Sequence, residues 1–359
     1  MMERRLSKAV QVGNRTIGGV SPITIQSMLN TPARDIARSV EQARQLEAAG
    51  CEILRAAVPD KESVRLIAAL KEAVSLPIVA DIHFDYRLAL EAAEAGVDKI
   101  RINPGNIGGE DRVKAVADIC RRKGIPIRIG VNAGSLEPEI LARYGRPCAE
   151  ALRDSALYHA SLLERYDFTD IVLSMKSSHV PTMVEAYRLT AEACSYPLHL
   201  GVTEAGTERQ GIFKSAAGIG TLLMEGIGDT IRISLTADPV REVEAARDLL
   251  SALDMRRDGP RLVSCPTCGR TGIDLIGIAE EVEQRLKTIR EPLTVAVMGC
   301  VVNGPGEARE ADVGLAGGKG KAVIFRKGTV VRTVAEDSAV DELMAEIDTI
   351  LNGKENGCK

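Results

Sequence analysis

Three cysteines stand apart from the rest of the chain. Cys265 and Cys268 lie in "SCPTCGRTG", and Cys300 lies in "VMGCVVNGPGEARE". A Cys-x2-Cys pair with a distant third thiol is a metal-ligating pattern. A zinc ribbon would add a second such pair or a histidine. No His follows His199, and the only Cys after Cys300 is Cys358, in the polar tail "LNGKENGCK". The nearest candidate for a fourth ligand is Glu307, just past a Pro set between two glycines. Such a turn can bring a carboxylate back toward Cys300. Taken alone, Glu307 also reads as an ordinary solvent-exposed glutamate. Three thiolates and one carboxylate would suit an iron–sulfur cluster with one unusual iron, because the carboxylate is harder and more easily displaced.

A second set of residues suggests an anion. Arg55, Arg101, Arg128, Lys176 and Arg232 each fall toward the C-terminal end of a short apolar run. Alternation along a strand puts i and i+2 on one face. Asp81 then shares a face with His83, Arg101 with Asn103, Arg128 with Asn132, Ser174 with Lys176, and Arg232 with Ser234. Burying several like charges without a counter-charge costs several kcal/mol each. The economical partner is a multiply charged ligand, and the planar Arg fork suits phosphate. Asp81 and Glu204 are the evident acids at these same ends. They are too few to neutralise five cations and read better as proton-transfer groups or hydroxyl binders. For His83 and His199, a hydrogen-bonded place in the core is the expectation.

The elements that must position these residues repeat. The runs "ITIQSM", "EILRAAV", "PIVADIH", "KIRINPG", "PIRIGVN", "DIVLSMK", "PLHLGVT" and "TIRISLT" alternate with amphipathic segments such as "DIARSVEQARQLEAAG", several of which end in Gly. Eight consecutive β-α units predict a (β/α)8 TIM-type barrel over residues 1–255, favoured over an open doubly wound sheet. In that fold the C-terminal strand ends form the active-site mouth. "VQVGNRTIGG" reads as a hairpin plugging the other end. After the linker "MRRDGPRLVS", residues 256–359 read as a small α+β domain carrying the cysteines. Its "GGKGK" lacks the spacing of a phosphate loop and reads as a hairpin turn.

Composition narrows the class. The chain has 359 residues, 45% hydrophobic and 27% charged, which is that of a globular protein large enough for two domains. A net charge of −4 without a basic block argues against nucleic-acid binding. The N-terminus lacks a signal-like apolar run, and no stretch is apolar long enough to span a bilayer, so a cytoplasmic enzyme is expected. Cys51, Cys120, Cys148 and Cys194 sit within element patterns and read as packed thiols.

Taken together, "SCPTCGRTG…VMGCVVNGPGEA", "QSM", "LRAAVP", "ADIHF", "IRINPGN", "RIGVNAGS", "LSMKSS", "GVTEAG" and "IRISLT" closely resemble the 4-hydroxy-3-methylbut-2-enyl diphosphate synthase family of the non-mevalonate isoprenoid pathway. The resemblance covers nearly the whole chain, with no departure at the motif positions. It implies a barrel followed by a [4Fe-4S] cluster domain, and reductive opening of 2-C-methyl-D-erythritol 2,4-cyclodiphosphate with two electrons and loss of water. It implies cluster ligation by Cys265, Cys268, Cys300 and Glu307. It assigns anion or substrate contacts to Arg55, Arg101, Asn103, Arg128, Asn132, Lys176, Thr203, Arg232, Ser234 and Asn303, and acid chemistry to Asp81 and Glu204. It also implies reduced flavodoxin or ferredoxin as electron donor, and a homodimer whose cluster domain caps the partner's barrel. The lack of a large insertion matches the compact bacterial type. A pterin- or corrinoid-dependent methyltransferase would leave the cysteines unexplained. A zinc-bearing binding module would leave the cationic mouth unexplained.

Overall fold

The computed structural model describes residues 3–103, 107–300 and 308–355. The chain forms two compact units, Met1–Leu253 and Asp254–Lys359.

The first unit begins with an antiparallel hairpin, β1 (Val10–Val12) and β2 (Arg15–Ile17). Eight parallel strands follow: β3 (Thr24–Met28), β4 (Ile53–Ala57), β5 (Ile78–Asp81), β6 (Lys99–Ile102), β7 (Ile127–Asn132), β8 (Ile171–Lys176), β9 (His199–Leu200) and β10 (Thr230–Ile231). They pair in the order β8-β7-β6-β5-β4-β3-β10-β9. A parallel bridge from Leu173 to Leu198 joins the two ends and closes the barrel. The open doubly wound alternative is thereby set aside. Branched apolar residues dominate the strands because crossover helices cover the outer face and side chains fill the inner one.

Local chemistry marks where the helices start and stop. Asp35 caps Ile36–Ala49 by accepting from the Arg38 amide. Gly50 ends that helix at φ 101°, in the left-handed region. Val12 and Ile17 of the hairpin pack on Ile53 and Val79, all fully buried. Ile53 and Val79 lie two residues before Arg55 and Asp81, so the hairpin closes the end of the barrel opposite those charges.

In the second unit, β11 (Arg261–Ser264), β12 (Thr294–Met298), β13 (Val313–Gly318), β14 (Lys321–Arg326) and β15 (Thr329–Ala335) form one sheet in sequence order. The first three strands are parallel; β13, β14 and β15 pair antiparallel. Helices Leu275–Leu286 and Ala339–Glu355 bury Ile278, Val282, Leu343 and Ile347 against Val295, Val297, Leu315 and Ile324. The "GGKGK" stretch is indeed a hairpin turn between β13 and β14. The linker reading needs correction: "RLVS" is edge strand β11, hydrogen-bonded along β12. An edge strand, exposed on one side, carries too little apolar pattern to announce itself.

Candidate active site

A cavity of about 580 Å³ opens at the C-terminal ends of the barrel strands. Arg55, Asp81, Arg101, Asn103, Arg128, Asn132, Lys176, Thr203, Glu204, Arg232 and Ser234 all line it. The barrel residues predicted to meet substrate are therefore brought together. Asn303 and Glu307 lie outside the described residues.

Asp81 is the hub of the cation cluster. It is 1% exposed and pairs with Arg55 Nη2 at 2.6 Å and Arg101 Nη1 at 3.1 Å. His83 Nε2 stands 3.6 Å away, on a half-exposed side chain rather than in the core. Burial would raise the Asp81 carboxyl, but Arg55, Arg101 and His83 overcome it and hold it well below the usual carboxylate range. The carboxylate thereby orients two guanidiniums. Its depressed value stabilises the fold fully above the unfolded carboxyl value of about 3.9, and that stability is lost only as pH falls through the folded value. Asp81→Asn should strip both arginines of their counter-charge and destabilise by about 3–5 kcal/mol, as for a buried pair losing one partner. Denaturant midpoints measure this; an unchanged midpoint at neutral pH would remove Asp81 as the anchor.

Glu242 is a carboxylate that sequence reasoning missed. It comes from helix Pro239–Ala252, not from a strand end, and is 3% exposed. Its carboxylate accepts from Arg232 Nε and Nη2, each at 3.2 Å, from the Leu235 amide at 3.0 Å and from Ser27 Oγ at 3.1 Å. It therefore fixes Arg232 and the loop after β10. Two glycines make room for the other cations. A Cβ on Gly130 would lie 2.5 Å from Arg101 Nε, and one on Gly201 would lie 3.1 Å from Lys176 Nζ.

Even so, positive charge is in excess among the described residues. Five cationic side chains and three carboxylates of that set line the cavity. Arg128 is 1% exposed, and its Nε and Nη1 have no partner among the described residues. Burial, then the charges of Arg232, Arg128, Arg55 and Arg101, push the Lys176 ammonium well below its ordinary value. Burial pulls Arg55 down to about 10, with Asp81 opposing and Arg101 and Arg232 adding to the fall. Lys99 and His199 lie fully buried in the barrel interior, and among the described residues neither Lys99 Nζ nor either His199 ring nitrogen has a partner. His199 thus departs from the hydrogen-bonded core histidine expected of it; its electrostatic neighbours are Arg128, Lys176, Lys99 and Arg55.

Glu204 sits on the loop after β9, exposed, at φ 52°. Left-handed backbone is uncommon for a residue with a Cβ and is strained unless its surroundings enforce it. Here the Thr203 amide reaches Ser177 O at 3.4 Å and the Thr236 amide reaches Gly206 O at 2.9 Å, which tie the loop down on both sides.

The cysteines belong to the second unit. Cys265 follows β11 and Cys300 follows β12, so both stand at the same edge of neighbouring parallel strands. The Gly299 amide donates to Cys265 Sγ at 3.2 Å, and the Gly272 amide donates to Gly299 O at 3.0 Å. Cys268 lies on the same tied loop, exposed, its amide held by Thr271 Oγ1 at 3.2 Å. Hydrogen bonds from Arg270 draw its thiol below the ordinary value. Free thiols on two linked loops are soft donors of the kind an iron–sulfur group takes. Among the described residues, no three His, Cys, Asp or Glu side chains are gathered closely enough to hold a metal ion. No helix among those residues is long and apolar enough to cross a membrane.

Comparison with known proteins bears on both units. Residues 7–247 match the GcpE TIM-barrel domain, and residues 261–349 match the GcpE protein C-terminal domain. The chain belongs to the GcpE family. It is 56% identical over 349 residues to a Clostridium acetobutylicum protein, covering 97% of this chain and 100% of the relative. It is 53% identical to one from Fusobacterium nucleatum, covering 99% and 100%. Both relatives carry the name 4-hydroxy-3-methylbut-2-en-1-yl diphosphate synthase (flavodoxin). Among solved structures, dihydropteroate synthases from Stenotrophomonas maltophilia and Xanthomonas albilineans each align with a TM-score of 0.51 at 15% identity. They cover 69% of this chain and 97% and 98% of theirs. At that identity the likeness is one of fold. Within this GcpE-family barrel, a helix-borne acid such as Glu242 gives only one weak signal in sequence: a Glu in the first helical turn after an Asp-Pro start.

Proposed function

We infer that the chain catalyses the reaction for which its relatives are named. It makes 4-hydroxy-3-methylbut-2-enyl diphosphate by reductive ring opening and dehydration of 2-C-methyl-D-erythritol 2,4-cyclodiphosphate. The observation that carries this reading is the excess of cations in the cavity, with Arg128 buried and lacking partners on two of its nitrogens among the described residues. A cyclic diphosphate supplies the missing negative charge and offers oxygens to several guanidiniums at once.

In this reading Cys265, Cys268, Cys300 and Glu307 would hold a [4Fe-4S] cluster, which would supply one-electron chemistry with reduced flavodoxin or ferredoxin as the donor. The chain's own residues do the rest. Arg55, Arg101, Arg128, Lys176 and Arg232 hold the diphosphate, with Asn103, Asn132, Thr203, Ser234 and Asn303 as neutral contacts. Asp81 and Glu242 set the orientation of three of those arginines. Glu204 gives a proton to the departing hydroxyl.

Replacing Arg55, Arg101 or Arg128 with Ala should weaken substrate binding by roughly 10–100-fold, the worth of one charge-assisted hydrogen bond. The visible spectrum should stay that of the parent enzyme. Lys in place of Arg should rescue only in part, because the planar fork is lost. Unchanged affinity in all three Ala variants would sink the diphosphate reading.

A further inference from the structure

We propose that substrate binding carries a proton into the cavity, taken up by Lys176 Nζ. The proposal rests on the diphosphate reading above and deepens it. Lys176 ends β8, is 9% exposed, and passes over Gly201 to reach the cavity. Arginines face it from several strands: Arg232, Arg128, Arg55 and Arg101. His199 and Lys99 lie on the interior side, near each other and near Arg128. Among the described residues no carboxylate forms an ion pair with Lys176. Asp81 is engaged by Arg55 and Arg101, and Glu242 by Arg232. Glu204 is exposed at the cavity wall.

A cluster of this kind must shed charge when it is empty. Arginine does not lose its proton in proteins, whereas lysine yields readily when buried. Of the two buried lysines, Lys99 and Lys176, only Lys176 lines the cavity where the anion would sit, so Lys176 is the cation whose charge the ligand can restore. A cyclic diphosphate restores the counter-charge, so the amine regains a proton from solvent and holds it against a phosphoryl oxygen. One N–H bond forms, one proton leaves the solvent, and no bond in the substrate breaks.

The sign follows from linkage. The empty site holds the Lys176 value down, and the bound anion raises it. Uptake therefore appears between those two values and vanishes at lower pH, where Lys176 is already charged in the empty site.

The test is calorimetric titration of oxidised holoenzyme with the cyclic diphosphate, without an electron donor, over a pH series from neutral to alkaline, each pH in two buffers of different ionisation enthalpy. Wild-type enzyme should show uptake that rises within the series toward about one proton per substrate bound. Lys176→Arg, with a permanent charge, should bind with uptake near zero. Lys176→Met should bind more weakly, also without uptake. Lys99→Met and His199→Gln should keep it. Wild-type binding without uptake overturns the proposal and leaves the diphosphate reading standing. So does uptake that survives in both Lys176 variants, or that is lost only in Lys99→Met. Absence of any wild-type binding overturns the diphosphate reading itself.

Discussion

Glu204→Gln should bind substrate about as tightly as the parent enzyme and turn it over about 10²–10⁴-fold more slowly, the usual worth of a positioned general acid. The amide keeps size and hydrogen bonding and loses only the transferable proton. Glu204 is the residue in the cavity wall whose backbone is strained, at φ 52°. Ties from the Thr203 and Thr236 amides secure its loop on both sides. Strain of this kind persists where surroundings over-determine a conformation, often at functional positions. Steady-state kcat and KM, with affinity measured separately, separate the two effects. Parent-like turnover across the pH range would take Glu204 out of the mechanism.

The cluster ligands should fail in two distinct ways. Cys300→Ser should lose most of its iron and drop in turnover by at least about a hundredfold, more than loss of an outer partner of a metal ligand. Glu307→Ala should keep three thiolates and stay brown, with one iron free to take water or leave. Its turnover should fall while most iron is retained. Iron per chain, together with the EPR or Mössbauer signature before and after substrate, decides between them. A parent-like spectrum in Glu307→Ala, distinct iron included, would show that Glu307 is not the fourth ligand; Cys358 would be examined next. A colourless parent protein with one zinc would overturn the cluster altogether.

What could be read from sequence followed the strength of local patterning. Each barrel strand is a short branched-apolar run interrupted by an inward polar residue, and each such run became a strand. The cations at their ends reached one cavity because strand alternation fixes their direction. Strand β11 escaped because its burial is shallow, and Glu242 because it arrives from a helix. The pairing of Asp81 with two guanidiniums was visible only in three dimensions. His199 showed the reverse: a buried imidazole is expected to find a partner, and among the described residues this one has cations for neighbours.

The β1–β2 hairpin has a kinetic consequence. Val12 and Ile17 seal one end of the barrel against Ile53 and Val79, without exposed surface. The reaction chamber is therefore a cul-de-sac. Whatever enters through the rim departs through the rim, and the expelled water takes the same exit. Product cannot be pushed out from behind by the next substrate. Each turnover must empty the chamber before refilling it, so product and substrate exclude one another at a shared doorway.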